Sequence, residues 1–263
     1  MTKMSAYLYS QIILTPNSGQ AQVATMTDRM LIPSIEERIG SLIEVTRRNL
    51  KEHGLAGERL RPTVTLTREY GCQGYPVAAQ LQAVLEKRTG APWLVMDRAL
   101  LEAVAQDNRV NEEVLANIGS RNRFLDDMLS TFTPRWKSDK DYYRLLARQI
   151  LALAQQGNVI LVGRGAAILT QELANCFHFR IVAPMTFKVS SVMARTKLPS
   201  HEAQDLISER QGQRDAFLKD FLGRDIADPT LYHLVFNNAR CPAGQIVALM
   251  THVMFPTDTP PSR

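Results

Sequence analysis

From residue 62 onward, short apolar runs that suit β-strands alternate with longer segments that carry apolar residues at helical spacing. Parallel strands need long crossover connections, and helices supply them, so this alternation predicts a parallel sheet. The sequence therefore predicts an α/β domain of three layers, with helices on both faces of a five-stranded parallel sheet. The strand-like runs are Thr63–Thr67, Trp93–Met96, Val159–Val162, Phe177–Val182 and Leu234–Phe236.

Two segments are longer than a connection between parallel strands requires. Residues 108–141 form a polar helical insertion, and residues 199–225 form a charged helix or helix pair that opens with Pro199 and Ser200. Insertions in a parallel α/β domain lie at the ligand-facing edge of the sheet. The second segment is therefore expected to be a helical lid over about residues 196–225. The plain helices are predicted near 76–90, 142–156, 186–195 and 243–254.

Composition divides the chain into an extension, a helix, a main domain and a tail. The extension has linker chemistry and is expected to be disordered or weakly ordered, as is the Pro-rich tail. Ser34 and Glu37 have the spacing of a capping box, which predicts an N-terminal helix. We interpret that helix as packing on the main domain, with a homodimer interface as the alternative. The four parts are assigned to residues 1–30, 31–60, 61–255 and 256–263.

Charge and cysteine content narrow the setting and the partners. The 263 residues include 31 Lys and Arg against 26 Asp and Glu, a net charge of +5, which suits an anionic partner. Three separated cysteines without a C-x-x-C pair predict a reducing, cytoplasmic setting. No apolar run reaches the 18 or so residues of a membrane span, so no membrane partner is expected.

A glycine-bearing turn lies between the first predicted strand and the following helix, which begins near Pro76. In α/β proteins such turns hold phosphate, because backbone N–H groups and the helix dipole favour negative charge there. Two glycines, Gly71 and Gly74, are also compatible with a tight turn that binds no ligand.

The amino-acid sequence of this turn is similar to the degenerate phosphate loop of the cytidylate kinase-like family, a branch of the P-loop nucleoside monophosphate kinases. The resemblance continues in the correct order over about residues 62–254. The segments that carry it are Thr67–Gly71 with Gly74, Val95–Leu101, Val159–Ala166, Phe179–Pro184 with Val192–Arg195, Gln213–Asp215 and Asp228–Val235.

This resemblance implies a P-loop kinase-like fold and an enzyme that transfers the γ-phosphoryl group of ATP to a nucleoside monophosphate, with Mg²⁺ required. It implies a nucleotide as the small-molecule partner and assigns no residue to a metal site. ATP would be bound by Arg68, Glu69, Gly71, Cys72, Gln73 and Gly74. The substrate would be bound by Asp97 and Arg164, and the catalytic groups would be Arg164, Arg195 and Arg214.

The loop departs from the family pattern at the positions that would contact the phosphates and Mg²⁺. A standard G-x-x-x-x-G-K-[ST] loop places a lysine on the phosphates and a hydroxyl on Mg²⁺. Its four fixed positions correspond here to Arg68, Gln73, Gly74 and Tyr75, and none matches. The family usually carries an arginine where this chain has Tyr75. Either another cation serves the phosphates, with Arg68 the nearest candidate, or catalysis is weak or lost.

Each candidate side chain also has a purely structural interpretation. Arg68 is equally suited to a solvated turn, and Glu69 either positions Mg²⁺ or pairs with Arg68. Asp97 has the position of a helix N-cap, and Arg164 that of a structural salt bridge.

Two further functions remain open at this point. A non-catalytic nucleotide-binding pseudokinase or sensor of the same fold would explain the missing lysine. A nucleic-acid-binding or scaffolding protein, the less expected alternative, would use the basic stretch Arg121–Arg148 with stacking from interleaved aromatic side chains. Those aromatic residues are Phe124, Phe132, Trp136, Tyr142 and Tyr143.

Overall fold

A computed structural model of the protein describes residues 34, 37, 38 and 41, then residues 61–106 and 139–256. Five parallel strands form one sheet in the order β2-β3-β1-β4-β5. Strand β1 lies at the centre, so its carboxyl end is flanked by the ends of β3 and β4. The strands are β1 Thr63–Arg68, β2 Leu94–Met96, β3 Val159–Val162, β4 Cys176–Val182 and β5 Leu234–Asn237.

The connections between the strands are helical. A 3₁₀ turn at Pro229–Leu231 precedes β5, and Gly90 ends the first helix in the left-handed conformation. The helices are α1 Gly74–Thr89, α2 Arg98–Gln106, α3 Asp139–Gln156, α4 Ala166–Leu169, α5 Met185–Thr196, α6 Ser200–Leu222 and α7 Ala243–Met254. None of the described helices is long and apolar enough to cross a lipid bilayer.

The predicted three-layer α/β fold is confirmed. Every predicted strand is present, with ends that differ by one residue at most. The charged stretch at 199–225, predicted as a helix or a helix pair, is the single helix α6. Most of the predicted insertion at 108–141 lies outside the described residues, as do the extension at 1–30 and nearly all of the tail.

Alternating side chains along the strands supply two separate apolar layers. Met96 and Leu161 point to the layer that contains Ile150 of α3. Leu66 and Ile160 point to the opposite layer, which is completed by side chains of α1 and α7. Because adjacent residues of one strand enter different layers, both faces of the sheet are buried, as expected for a parallel sheet.

The N-terminal helix begins as its capping box predicts. The Glu37 N–H donates to Ser34 Oγ at 3.1 Å, and the Ser34 N–H donates to Glu37 Oε2 at 3.0 Å. Arg38 of this helix reaches the main domain and forms an ion pair with Asp97. Arg38 thus contacts the main domain, and the rest of the predicted helix at 31–60 lies outside the described residues.

A buried histidine on β4 makes stability sensitive to pH. His178 Nδ1 lies 2.8 Å from Thr65 Oγ1 on β1, and burial lowers the pKa of His178 to about 4, helped by the nearby His233. Below the unfolded pKa of about 6.5, the unfolded chain binds a proton that the folded chain does not. Acid therefore favours unfolding until the pH passes below the folded value.

We predict that the free energy of unfolding decreases by about 2 kcal/mol through His178 between pH 7 and pH 5. The variant His178→Asn, which retains an amide near the Nδ1 position, should lose this part of the pH dependence. Urea unfolding at both pH values measures it, and His252→Asn, at an exposed position, is the matched control. An unchanged pH dependence in His178→Asn would show that another group is responsible.

Candidate functional site

Four arginines approach one another at the carboxyl end of the sheet. Arg68 ends β1, Arg98 begins α2, Arg164 follows β3 and Arg214 lies on α6. We call these four residues the arginine cluster. Burial lowers the pKa of Arg68 to about 9, Arg214, Arg164 and Arg98 add to the decrease, and Asp97 opposes it. Arg68 remains charged at neutral pH, so a positive charge is held here in a poorly solvated place.

Two glycines make room for the Arg68 side chain. A Cβ at Gly74 would lie 2.9 Å from Arg68 Cγ, and a Cβ at Gly163 would overlap Arg68 Nη1. The guanidinium therefore lies between the start of α1 and the turn after β3. Within residues 61–106 and 139–256, no oxygen accepts a hydrogen bond from it. Arg68 is consequently a half-buried donor group suited to an incoming anion.

Helix α6, which covers most of the predicted lid, holds the loop that follows β1. Arg214 Nη1 donates to the Arg68 carbonyl at 2.6 Å, and the Tyr70 N–H donates to Gln211 Oε1 at 2.8 Å. Because Gln211 and Arg214 occupy the same face of α6, one helical turn fixes two points of the loop. Arg214 is thus placed in the cluster by a contact with the backbone of Arg68.

The N–H groups of the loop are largely engaged within the protein. The Cys72 N–H donates to the Glu69 carbonyl, the Gln73 N–H to Asn238 Oδ1 and the Gly74 N–H to the Cys72 carbonyl. The sequence predicts that the N–H groups of residues 71–74 hold phosphate. Three of the four donate to protein oxygens in this arrangement of the loop, and the phosphate contact stays a prediction. The loop is a closed turn in which the available cation is a side chain.

Glu69 has a structural partner, although not the predicted one. Its Oε2 accepts from Lys188 Nζ of α5 at 2.9 Å, and Arg180 lies 3.8 Å from its Oε1. The suggested pair with Arg68 is wrong. A Cβ at Gly71, whose φ is +94°, would lie 2.8 Å from Lys188 Cβ, so the loop rests closely on α5. Burial next to Glu69 raises the pKa of Cys72 to about 11, so this thiol stays protonated.

Asp97 is a helix cap with a second partner. Its Oδ1 accepts from the Leu100 N–H at 3.0 Å, which is the N-cap contact considered in the sequence analysis. The same oxygen lies 3.0 Å from Arg38 Nη2. The predicted substrate-binding carboxylate is therefore already engaged by two donors.

Arg164 and Arg98 share one carboxylate. Glu102 Oε1 accepts from Arg98 Nε at 2.7 Å and from Arg164 Nη2. The Arg164 guanidinium also lies over the Phe217 ring, 5.8 Å from its centroid. The structural salt bridge considered for Arg164 is thus present. It orients the two arginines toward each other while leaving the cluster with more positive than negative charge.

The remaining candidates lie apart from the cluster. Arg195 is exposed on α5 and donates to the Ser191 carbonyl of its own helix, so the structure does not bring it to Arg164 and Arg214. Tyr143, a candidate base-stacking residue, is buried, packs against Phe217 and Phe221, and donates to the Arg164 carbonyl. Its ring belongs to the core. Phe124, Phe132 and Trp136 lie outside the described residues.

The described side chains do not fit a protein-held Mg²⁺. Mg²⁺ prefers carboxylate oxygens and water in octahedral geometry. Glu69 is paired with Lys188, and Asp97 is paired with Arg38. No group of three His, Cys, Asp or Glu side chains suited to a metal occurs in the described ranges.

Sequence reasoning did not find several partners in the site. Arg98 and Glu102 have i,i+4 spacing directly after a predicted strand, and this spacing is typical of an ion pair on a helix. Lys188 and Arg38 are far in sequence from Glu69 and Asp97, and only the folded chain shows that they meet.

The sequence model of the cytidylate kinase-like family matches residues 63–240. No curated protein matches the chain. A crystal structure described as an uncharacterized protein from Eubacterium ventriosum is similar with a TM-score of 0.56 and 18% identity, covering 74% of this chain and 98% of that one. This similarity shows the fold alone. A structure from the PezAT chromosomal toxin-antitoxin system of Streptococcus pneumoniae has a TM-score of 0.32 and 10% identity, covering 87% and 90% of the two chains.

The close approach of Gly74 to Arg68 gives a stability prediction. Gly74→Ala should destabilise the protein by about 1–3 kcal/mol, because the new methyl group displaces a side chain that Gly163 already confines. Gly244→Ala is the matched control, since Gly244 also lies in the first turn of a helix and has open space around it. The control should be neutral or stabilising by up to about 1 kcal/mol. Equal effects in urea unfolding would show that Arg68 is not confined.

Proposed function

The chain belongs to the cytidylate kinase-like family, and from that premise we propose that it transfers the γ-phosphoryl group of ATP to a nucleoside monophosphate. In this proposal the arginine cluster performs the phosphate binding that a lysine-bearing loop performs elsewhere. The acceptor is a nucleoside monophosphate because the resemblance to cytidylate kinases implies one. The single observation that carries the proposal is the convergence of Arg68, Arg98, Arg164 and Arg214 at the carboxyl edge of the sheet.

The chemistry of phosphoryl transfer suits such a cluster. Charge spreads over the transferred phosphoryl oxygens in the transition state, and the protein acts mainly by positioning and by fixed positive charge. Guanidinium groups offer planar pairs of donors that match phosphate oxygens. Arg68 and Arg164 are the two that we assign to phosphate, with Arg214 placed beside them by α6. A poorly solvated site strengthens these interactions.

In this proposal the nucleotide enters as its Mg²⁺ complex. The ion would be held chiefly by phosphate oxygens and water, since the described carboxylates do not form a site for it. No step is assigned to the ion beyond the charge that it neutralises on the phosphates.

A second candidate function is supported by the loop itself. Most of its N–H groups are engaged, and Gly74 and Tyr75 stand where a standard loop has its lysine and its Ser or Thr. Binding to side-chain arginines does not depend on these groups, whereas acceleration of transfer needs charge stabilised where it develops. A non-catalytic nucleotide sensor of this fold would use the same cluster for binding alone.

We predict that Arg164→Ala weakens MgATP binding by about 1.5–3 kcal/mol, the contribution of a hydrogen bond to a charged group. Calorimetric titration measures the affinity, and circular dichroism confirms the fold. Arg88→Ala is the control, because Arg88 lies in the last turn of α1, at the opposite end of the sheet from the cluster. A folded Arg164→Ala protein with unchanged affinity would contradict the assignment.

Product detection separates the two candidate functions. With MgATP and each nucleoside monophosphate in turn, we expect a nucleoside diphosphate to form at a rate below the roughly 1–100 s⁻¹ usual for kinases, since the loop lysine is missing. MgATP binding without product for any acceptor would instead establish the sensor function. Absence of both binding and product would refute the two proposals together.

A further inference from the structure

Arg38 is anchored to the candidate site by three different contacts. Its Nη2 lies 3.0 Å from Asp97 Oδ1 and donates to the Val95 carbonyl at 3.3 Å. Its guanidinium also lies over the Tyr75 ring, 6.0 Å from the centroid. The Arg38 side chain is only 10% exposed, although it belongs to a helix outside the sheet. These three contacts fix the Arg38 side chain against the main domain.

The place of this contact in the fold is significant. Arg38 precedes the segment that matches the family, which begins at residue 63. It nevertheless reaches the carboxyl end of β2 and the first turn of α1, where the arginine cluster also lies. Arg38 thus brings a further guanidinium to Tyr75, in the first turn of α1.

The charges at this place define what Arg38 can do. The Asp97 carboxylate acts electrostatically on Arg68. It therefore offsets part of the positive charge of Arg68 that an anionic ligand would otherwise meet. Arg38 pairs with Asp97 and compensates its charge. The field of Arg68 is then less offset by a neighbouring carboxylate, and it acts more strongly on an incoming anion.

We propose that Arg38 is a positioning residue of the anion site, which raises phosphate affinity by neutralising Asp97. The proposal rests on the proposed function to the extent that the arginine cluster binds phosphate. It makes the docked N-terminal helix a part of the site and predicts that affinity depends on the net charge of the Arg38–Asp97 pair.

The test is a double-mutant cycle on the full chain with inorganic pyrophosphate as the probe. Pyrophosphate has no base or ribose, so contacts of Asp97 with a nucleoside do not enter. Arg38→Ala should weaken binding by about three- to tenfold, as expected for one uncompensated, partly screened charge. Asp97→Asn should bind pyrophosphate at least as tightly as the native chain, and the double variant should return to near the native affinity. Asn also serves as a helix N-cap, so α2 should persist in both Asn variants.

A purely structural role for the Arg38–Asp97 contact predicts a different order of pyrophosphate affinities among the variants. If Arg38 only docks the helix, then Asp97→Asn breaks the same docking, weakens binding as much as Arg38→Ala and rescues nothing. If the helix instead blocks the site, Arg38→Ala binds more tightly. Either result overturns the proposal, and so does an Arg38→Ala protein with native affinity.

Control variants distinguish the role of Arg38 from the proposed function of the arginine cluster. Arg88→Ala removes one arginine charge at the far end of α1 and should leave pyrophosphate affinity unchanged. If Arg164→Ala weakens binding while Arg38→Ala does not, only the role of Arg38 fails. If the native chain binds neither pyrophosphate nor MgATP, the proposed function fails and this inference fails with it. Raising the salt concentration should diminish the difference between Arg38→Ala and the native chain, because the effect is a charge effect.

Discussion

The placement of one charged side chain, Arg68, at the end of the central strand determines much of what surrounds it. A guanidinium in a poorly solvated place requires space and nearby groups that tolerate its charge. Gly74 and Gly163 supply the space, since a side chain at either position would collide with it. Arg214 binds its carbonyl and thereby connects α6 to the strand. The start of α1, the turn after β3 and helix α6 are therefore all arranged around Arg68.

The loop beside Arg68 shows how a phosphate loop can lose its usual chemistry without losing its fold. Backbone N–H groups serve an anion only while they point outward and lack acceptors. Here the loop has turned those donors toward Glu69, Cys72 and Asn238. The Glu69–Lys188 pair and the contact with Gln211 then hold the loop from two further helices. Positive charge at this edge of the sheet is consequently carried by arginine side chains and not by backbone N–H groups.

The sequence predicted the sheet and its helices well because their signals are local. Alternation of strand-like and helical patterns, the capping box of Ser34 and the N-cap position of Asp97 each depend on residues close in the chain. The family resemblance added the order of segments and pointed to Arg164 and Arg214. The pairs that define the site depend on long separations: Glu69 with Lys188, Arg38 with Asp97, and Arg214 with the Arg68 backbone. No periodic pattern encodes such pairs, so only the folded chain shows that Glu69 pairs with Lys188 and not with Arg68.

The balance of charge at the carboxyl edge connects the fold to the proposed function. Among the described residues, two carboxylates beside the arginine cluster, Glu102 and Asp97, each have a defined task. Glu102 joins Arg98 to Arg164, so it orients two members of the cluster at the expense of one negative charge. Asp97 caps α2, and its charge would oppose phosphate binding if nothing compensated it. Arg38 supplies that compensation from outside the sheet. The net positive charge that an anion meets is therefore set jointly by the domain and by the helix that precedes it.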